Sequence, residues 1–340
     1  MNRHANIDAP SASDSRIEGL DELRGIAVLM VLVHHLSWLI GNYQIGGFAV
    51  DLFFIISGFL IGRILMRSRD DGNYYMKFYT KRIFRIAPLA LATVIFCWVL
   101  SKIIGWNTQS ITYYIFFIQN YIPPQIVTGT HPDWGGHLAG SDPLWSLAVE
   151  EHFYLIVPFL IRWNSGPRLI IICLIAGAAS IVFKNLYLLD FGGYQWYSNP
   201  HRTECRLVYL VSGLMLNFGH VGYWVIGCFS VVWILTRQLL DVADGKLDLL
   251  GFIALVVIVG LTILQKLRIR SSVLAWIGKL CFGIYLIHMP ISLTLKRSPL
   301  ASYPLVVVLI YFSVVFLVAH FSYRFFEEPI RKWGYRKVGE

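Results

Sequence analysis

The sequence predicts an all-α protein, a polytopic membrane bundle of about ten transmembrane helices with both termini in the cytoplasm. Three observations lead to this fold class: an apolar composition, long apolar segments and an uneven distribution of basic residues. Of the 340 residues, 56% are hydrophobic and only 14% are charged, whereas a soluble domain carries about 25% charged residues. Apolar segments of roughly 20 residues recur between residues 25 and 323, and each is long enough to cross the hydrocarbon core as a helix.

These apolar segments divide the chain into spans and connecting loops. A weaker stretch at 111–121 is too short to cross and is predicted as a re-entrant or interfacial helix. Residues 1–18 lack the apolar core of a signal peptide and are predicted as a disordered cytoplasmic tail. Residues 19–333 are predicted as one membrane domain and 334–340 as a second cytoplasmic tail. The predicted spans are 24–41, 46–65, 86–104, 144–162, 167–184, 205–220, 222–238, 248–266, 273–292 and 302–323.

Basic residues set the predicted orientation. Alternate loops and the C-terminal tail are rich in Lys and Arg, whereas the stretch 107–143 contains neither. This is the positive-inside pattern of a multi-pass protein of the plasma (inner) membrane. It accounts for the net charge of +9 without a nucleic-acid partner. The residues assigned to the cytoplasmic side include Arg63, Arg67, Lys77, Arg162, Arg168, Lys266, Arg331 and Lys332.

The cysteines show no pattern that indicates a metal site or a disulfide framework. They are scattered, mostly inside apolar segments, without paired spacing. We interpret them as small apolar side chains and expect no metal. The five positions are Cys97, Cys173, Cys205, Cys228 and Cys281.

The first span carries two ionisable residues, which are costly in a bilayer and therefore indicate functional positions. Arg24 and His35 are 11 residues apart, so on a helix they lie within about 20° of the same face and roughly 16 Å apart. That face offers a fixed cation for an anionic group and, deeper, an imidazole that exchanges a proton near neutral pH. The structural alternative is an anchoring arginine and a buried polar histidine.

The segment from Arg24 to His35 is the first of six motifs that follow one another in order. Together they resemble the motifs of the acyltransferase-3 family of membrane proteins, which O-acylate sugars and related hydroxyl compounds, over about residues 18–333. Two positions depart from the family pattern: His152 stands where Gln is common, and Val208 where many relatives carry an acid. The chain resembles the stand-alone form, without a fused hydrolase-like domain. The other motifs are VDLFFIISGFL at 50–60, KRIFRIAP at 81–88, LWSLAVEEHFY at 144–154, GIYLIHMP at 283–290 and FEEP at 326–329.

The resemblance implies a cytoplasmic acyl-coenzyme A as donor, most often carrying an acetyl group, and it implies roles for individual residues. Arg24, Arg82 and Arg85 would hold the donor phosphates, because arginine binds phosphate through paired hydrogen bonds. His35 would be the general base that activates the acceptor hydroxyl. Glu150 would orient His35, bind acceptor hydroxyls or bind a cation.

The implied acceptor is a hydroxyl of a sugar in an envelope glycan, an exopolysaccharide or a lipid-linked precursor. Each acceptor-binding candidate has a structural alternative, namely a paired or solvated charge, an aromatic-belt residue or a satisfied histidine. Ser57 and Gly58 are predicted to allow close helix packing rather than nucleophilic chemistry, and Glu151 is predicted to be exposed. The candidates are Asp51, Trp145, Tyr154, His288, Arg202 and Arg206.

Two other functional classes remain possible from the residues alone. A proton-coupled transporter or flippase of a glycan or lipid would use the same intramembrane His, Asp and Glu as a proton relay. Transporters often carry internal repeats, and we find none in the sequence. A non-catalytic scaffold would tolerate substitution of Arg24 and His35. The expected partners are the acyl donor, the sugar or glycolipid acceptor and membrane lipids, and the sequence indicates no oligomeric state.

Overall fold

The computed structural model describes residues 17, 19–40, 45–106, 111–121, 138–164, 166–190, 201–239 and 246–339. Over these residues the secondary structure is helical, without a strand, so the predicted all-α class is confirmed. A π-helical turn, Tyr323–Glu327, connects the last two helices. The helices are α1 (Leu20–His35), α2 (Ser37–Ile40), α3 (Gly46–Arg67), α4 (Tyr74–Ile103), α5 (Ile111–Ile115), α6 (Leu144–Trp163), α7 (Gly166–Asp190), α8 (Thr203–Met215), α9 (His220–Leu239), α10 (Lys246–Ile263), α11 (Ser272–Lys296), α12 (Pro304–Ser322) and α13 (Glu328–Arg336).

Seven helical segments among the described residues are long and apolar enough to cross a membrane, which makes the chain an integral membrane protein. They are α3, α4, α6, α7, α9, α11 and the continuous helix Pro304–Arg336. The predicted first and sixth spans correspond to shorter helices, α1 with 16 residues and α8 with 13. The apolar part of α10 is also short, so the count of about ten spans stays a prediction. Helix α13 crosses the predicted boundary between residues 333 and 334.

Helix α4 begins well before the predicted third span. Its 30 residues include Pro88 and start at Tyr74, because the first turns of the helix pack into the bundle. The Tyr74 hydroxyl donates a hydrogen bond to the carbonyl oxygen of Pro158 on α6, at 3.0 Å. Arg82 and Arg85, which the sequence analysis placed before a span, therefore lie on a helix, one turn apart.

The predicted first span, 24–41, is interrupted at Leu36, about two-thirds of the way along. Helix α1 ends at His35, and α2 begins again at Ser37. The Ser292 hydroxyl of α11 donates a hydrogen bond to the His35 carbonyl at 3.3 Å, so this side chain satisfies a carbonyl at the helix end. His35 therefore stands at the C-terminus of α1 rather than inside a longer helix.

Glycines bring α3 and α8 into backbone contact. A Cβ atom on Gly58 would overlap the carbonyl oxygen of Leu210, and one on Gly213 would overlap the carbonyl oxygen of Ile55. Since no side chain fits at either position, the close packing predicted for Gly58 is confirmed. The two helices run parallel, and α8 thereby supports the face of α3 that lies opposite the site described below.

A second pair of glycines joins α1 to α11. A Cβ atom on Gly25 would overlap the Leu274 carbonyl oxygen, and one on Gly278 would overlap the carbonyl oxygen of Asp21. At the far end of the same pair, His35 contacts His288. Since residues 21–25 meet 274–278 and residue 35 meets 288, α1 and α11 run parallel, in agreement with the direction predicted for their spans.

Replacing Gly58 by alanine is expected to destabilise the protein, because the new methyl group would push α3 away from α8. Overpacking of this kind costs about 1–3 kcal/mol, and backbone contact places Gly58 at the upper end. The matched control is Gly47→Ala on the same helix, where an added Cβ meets nothing within 4 Å. Thermal unfolding in detergent should show a lower midpoint for Gly58→Ala only; equal midpoints would contradict the packing.

The two ends of the bundle differ in charge. At one end α1, α4 and α11 begin and α3 and α6 finish, and we call it the basic end. There Lys77 pairs with Asp71 at 3.3 Å and Arg162 with Asp70 at 3.6 Å. The other end, which we call the opposite end, contains the start of α3, α6 and α8 and the C-terminus of α1.

Candidate active site

A cavity of about 180 Å³ lies inside the bundle, between α1, α3, α4, α6 and α11. Its walls are mostly apolar, with aromatic rings from Phe53, Phe54 and Phe282. We call it the inner cavity. Four of its polar groups are the hydroxyls of Ser57 and Tyr154, the carboxylate of Glu150 and the guanidinium of Arg82.

The Glu150 carboxylate is fixed by two hydroxyl groups. Ser57 donates a hydrogen bond to Glu150 Oε1 at 2.6 Å, and Tyr154, one turn further along α6, donates to Oε2 at 3.0 Å. The shorter distance is typical of a hydroxyl bound to a charged carboxylate. Ser57 thus has a proton acceptor in direct contact, and Tyr154 holds that acceptor in place.

Arg82 adds a cation to the inner cavity. Its guanidinium carbon lies 5.5 Å from the centre of the Tyr154 ring and 5.8 Å from that of Phe78. Its Nε atom is buried and finds no hydrogen-bond partner within the described ranges. Because an unpaired buried N–H costs free energy, a carbonyl or anionic oxygen bound in the cavity would recover that cost.

A larger cavity, of about 500 Å³, lies at the basic end, and we call it the outer cavity. The outer and inner cavities share Arg24, Leu60, Arg85, Cys281 and Phe282, so they adjoin at these residues. The charged residues that line the outer cavity are Asp21, Arg24, Arg85, Lys279, Glu327, Glu328 and Arg331.

Two cations of the outer cavity, Arg85 and Lys279, form no salt bridge with the described residues and can therefore bind an anion, whereas the other two are paired. Arg24 pairs with Asp21 at 3.5 Å, and Arg331 pairs with Glu328. None of the ion pairs found in the described part of the chain uses Arg85 or Lys279. A polyanion entering from the basic end would therefore meet two cations that are not already held in a salt bridge at contact distance.

His35 and His288 form a pair of imidazoles at the opposite end of α1 and α11. Nε2 of His288 lies 3.2 Å from Nδ1 of His35. His35 Nδ1 also lies 2.9 Å from the Val31 carbonyl oxygen, and His288 Nδ1 lies 2.7 Å from that of Tyr285. Since a carbonyl oxygen only accepts, both Nδ1 atoms carry hydrogen in the neutral rings. This tautomer leaves Nε2 of His35 with a lone pair, as a general base requires.

Tyr285 lies between the inner cavity and the histidine pair. It lines the cavity, and its hydroxyl is 2.7 Å from Ser146 Oγ and donates to the Pro143 carbonyl oxygen at 3.1 Å. Its ring centre is 5.7 Å from that of His288. His35 itself is not among the residues that line the inner or the outer cavity.

Three acceptor-binding candidates meet at the opposite end. Asp51 and Arg206 form a buried ion pair with a distance of 2.6 Å. The Arg206 guanidinium lies 5.5 Å from the centre of the Trp145 ring, which stacks on His201 with 4.2 Å between ring centres. The charges of Asp51 and Arg206 thus have partners inside the protein, which is the structural alternative considered for each.

Arg202 belongs to a neighbouring polar group. It pairs with Glu204 at 3.3 Å, and the Tyr121 hydroxyl donates to the same carboxylate at 2.7 Å. Burial raises the pKa of Tyr121 to about 12, so its phenol keeps its proton and remains a donor at neutral pH. His152, which departs from the family pattern, has Nδ1 at 2.7 Å from Thr203 Oγ1.

The structure corrects one expectation and adds residues that the sequence analysis missed. Glu151 was predicted to be exposed, and this is wrong: its Oε1 atom is buried and has no hydrogen-bond partner among the residues described. Other helices pack against α6 on more than one side, so both Glu150 and Glu151 are at least partly buried. Ser57 was predicted to serve helix packing, because the sequence alone places no base beside it, whereas in the structure Glu150 is in contact with it. Tyr285 lay within a recognised motif, and Lys279 carried no signal beyond its charge.

A helical membrane bundle with a buried hydroxyl–carboxylate centre, reached through a cation-lined opening, offers what an integral membrane acyltransferase requires, and the family match assigns the chain to that class. The chain is a member of the acyltransferase-3 family, whose model, described as an acyltransferase domain, matches residues 17–324. The resemblance that the motifs indicated is thereby confirmed.

Curated relatives carry names that specify O-acetylation. The peptidoglycan O-acetyltransferase OatA of Listeria monocytogenes is 28% identical over 94% of this chain and 56% of its own length. The O-acetyltransferase OatA of Staphylococcus aureus is 28% identical over 94% of this chain and 58% of its own length. The chain therefore spans a little over half the length of these relatives. No solved structure matches the chain.

Proposed function

We propose that this protein transfers an acyl group, most simply acetyl, from acyl-coenzyme A to a sugar hydroxyl of an envelope glycan or its lipid-linked precursor. One observation carries the proposal: the adjoining outer and inner cavities lead from the basic end to Ser57, Glu150 and Tyr154. The names of the relatives, which include a peptidoglycan O-acetyltransferase, support acetyl as the group and a glycan as the acceptor.

The outer cavity suits the donor's phosphates. Arg85 and Lys279 are the available cations, with Arg24 beside them at the junction of the two cavities. The narrower inner cavity, with its aromatic walls, suits the apolar arm that carries the thioester. Since acyl-coenzyme A is a cytoplasmic metabolite, this assignment places the basic end, and with it both termini, on the cytoplasmic side of the inner membrane.

In the overall reaction, the acceptor oxygen forms an ester bond to the acyl carbon, the carbon–sulfur bond breaks, and the hydroxyl proton ends on the thiol of coenzyme A. His35 accepts the acceptor's proton at Nε2, whose lone pair follows from the hydrogen bonds at Nδ1. His288 holds the ring of His35 in that orientation. The reaction needs only these proton transfers and the electrostatic support of Arg82.

Replacing Arg85 by alanine is expected to raise the KM for the donor about tenfold or more, since a hydrogen bond to a charged group contributes about 1.5–3 kcal/mol. The value of kcat should change little, because Arg85 lies at the junction of the two cavities whereas Glu150 lines the inner cavity alone. Arg67→Ala is the control, because Arg67 is an exposed cation at the same end. Steady-state kinetics with acyl-coenzyme A give the donor KM of each variant. A similar KM in both variants would contradict the assignment of Arg85 to the donor phosphates.

The function itself is tested with the purified protein in nanodiscs, radiolabelled acetyl-coenzyme A and an envelope glycan extract. We expect label to move to the glycan and to be released by mild alkali, as an ester is, and the movement to fail with His35→Ala. Coenzyme A binding is measured in parallel. If the protein neither binds coenzyme A nor moves label, yet carries glycolipid across a vesicle membrane, the transporter alternative replaces this proposal.

A further inference from the structure

We infer that Ser57 is a covalent carrier, whose hydroxyl takes the acyl group from the thioester before the acceptor receives it. The inference rests on the proposed function, because it assumes an acyl thioester as donor. It goes further by dividing the reaction into two half-reactions that share one serine in the inner cavity.

The geometry at Ser57 is that of an activated nucleophile. Its hydroxyl lines the inner cavity and lies 2.6 Å from Glu150 Oε1, within the range for transfer of a proton to a base. The base is itself held by a third group, the Tyr154 hydroxyl at 3.0 Å. A nucleophile, a base and a group that orients the base are the parts from which catalytic triads are built.

Other hydroxyls of the cavity lack this arrangement. Ser146 interacts with the Tyr285 hydroxyl and the carbonyl oxygen of Pro143, and neither takes a proton as a carboxylate does. Tyr154 also donates to Glu150, but from the longer distance. Ser57 therefore has the shortest contact with a base among these groups.

The first half-reaction balances without any further reactant. Ser57 Oγ forms a bond to the acyl carbon, and its proton passes to Glu150 Oε1. The carbon–sulfur bond then breaks, and the proton moves from Glu150 to the thiolate, which leaves as the free thiol. Arg82 Nε, which has no partner within the described ranges, is available to the oxygen that becomes negative in the tetrahedral intermediate.

The second half-reaction restores the serine. The acceptor oxygen attacks the carbonyl carbon of the acyl-serine ester, and His35 takes its proton. The ester bond to Ser57 Oγ then breaks, and the same proton passes from His35 by way of Glu150 to that oxygen, which restores Ser57, Glu150 and His35 to their starting states. Donor and acceptor then never need to occupy the site together. A membrane enzyme whose donor binds on the cytoplasmic side can use this order to pass only the acyl group towards the acceptor.

The test is isotope exchange in the absence of acceptor. The full-length protein is incubated with unlabelled acetyl-coenzyme A and labelled free coenzyme A, and label is followed into acetyl-coenzyme A. A covalent carrier catalyses this exchange, whereas direct transfer to the acceptor cannot. We expect exchange with the unaltered protein, background exchange with Ser57→Ala, and normal exchange with Ser212→Ala, a buried serine of α8 that bonds its own helix.

A second measurement locates the acyl group. Rapid denaturation followed by mass spectrometry should find acetyl on the peptide that contains Ser57. Ser57→Cys should restore exchange and carry the acetyl as a thioester at that position, which separates loss of the nucleophile from loss of folding. Exchange that survives in Ser57→Ala, or acetyl found on Tyr154, would overturn the inference.

Failure of this inference is distinguishable from failure of the proposed function. A protein that acetylates glycan but shows no exchange transfers the group directly, so the function stands and the carrier is overturned. A protein that shows neither exchange nor glycan acetylation overturns both. Exchange together with glycan acetylation, both lost in Ser57→Ala and retained in Ser57→Cys, supports both.

Discussion

Replacing His35 by alanine is expected to reduce acyl transfer to the acceptor by about 10²–10⁴-fold, the usual contribution of a positioned general base. Donor binding should be unchanged, because His35 is not among the residues that line the outer or inner cavity. Acceptor-free exchange should also persist, because His35 acts only in the half-reaction that consumes the acceptor. Transfer to glycan and exchange, measured on the same preparation, separate the two steps.

The control for His35 is another histidine substitution, His320→Ala. His320 lies on α12, with its ring near Trp276 rather than near the histidine pair. Its loss should leave both reactions within a few-fold of the unaltered protein. If His35→Ala retains full transfer to glycan, His35 is not the base, and the His35–His288 contact is structural.

Replacing Glu150 by glutamine is expected to lower both exchange and transfer by about 10²–10⁴-fold. Glutamine keeps the size of the side chain and accepts a hydrogen bond from Ser57, but it does not take up the serine proton. The effect therefore falls on kcat, while donor KM changes little. Unlike His35→Ala, this variant should fail in the acceptor-free reaction as well.

The matched control for Glu150→Gln is the same substitution at the adjacent acid, Glu151. Glu151 is one residue further along α6, partly buried, and not among the residues lining the inner cavity. Glu151→Gln should leave exchange and transfer within a few-fold of the unaltered rates. Equal losses in the two variants would show that the carboxylates act through the packing of α6, and the role of Glu150 as proton acceptor would be wrong.

Hydropathy was enough to predict the fold class and most of the long helices. The bounds that it missed depend on contacts between distant segments. Helix α4 begins early because Tyr74 bonds to Pro158, 84 residues away. Helix α1 ends at His35 where Ser292, 257 residues away, caps the carbonyl. Neither contact leaves a local signal, because each partner is an ordinary residue in its own segment.

The candidate site was predictable as a set of residues but not as a geometry. The motifs indicated Arg24, Arg82, Arg85, Glu150 and Tyr154, and the structure places all of them on the inner cavity. Which of them touch each other was not predictable, because a helical period says only which residues share a face.

Contacts between residues far apart in the sequence account for the remaining differences between the predicted roles and the structure. Ser57 and Glu150 are 93 residues apart, and Asp51 and Arg206 are 155 apart. The first pair turned a residue assigned to packing into a candidate nucleophile. The second paired two residues that had been considered separately as contacts for the acceptor. Both outcomes depend on how α3 lies against α6 and α8, which no single span specifies.

The partnership of α1 with α11 has a consequence for biosynthesis. His35 and His288 are separated by 253 residues, so the ribosome delivers the first helix long before its partner. In the meantime His35 lacks its contact with His288, which is unfavourable for a polar side chain in lipid. A nascent chain released before residue 272 would contain Ser57 and Glu150 but could not close the cavity or position the base. The cavity lining and the histidine pair are therefore complete only once α11 has been synthesised.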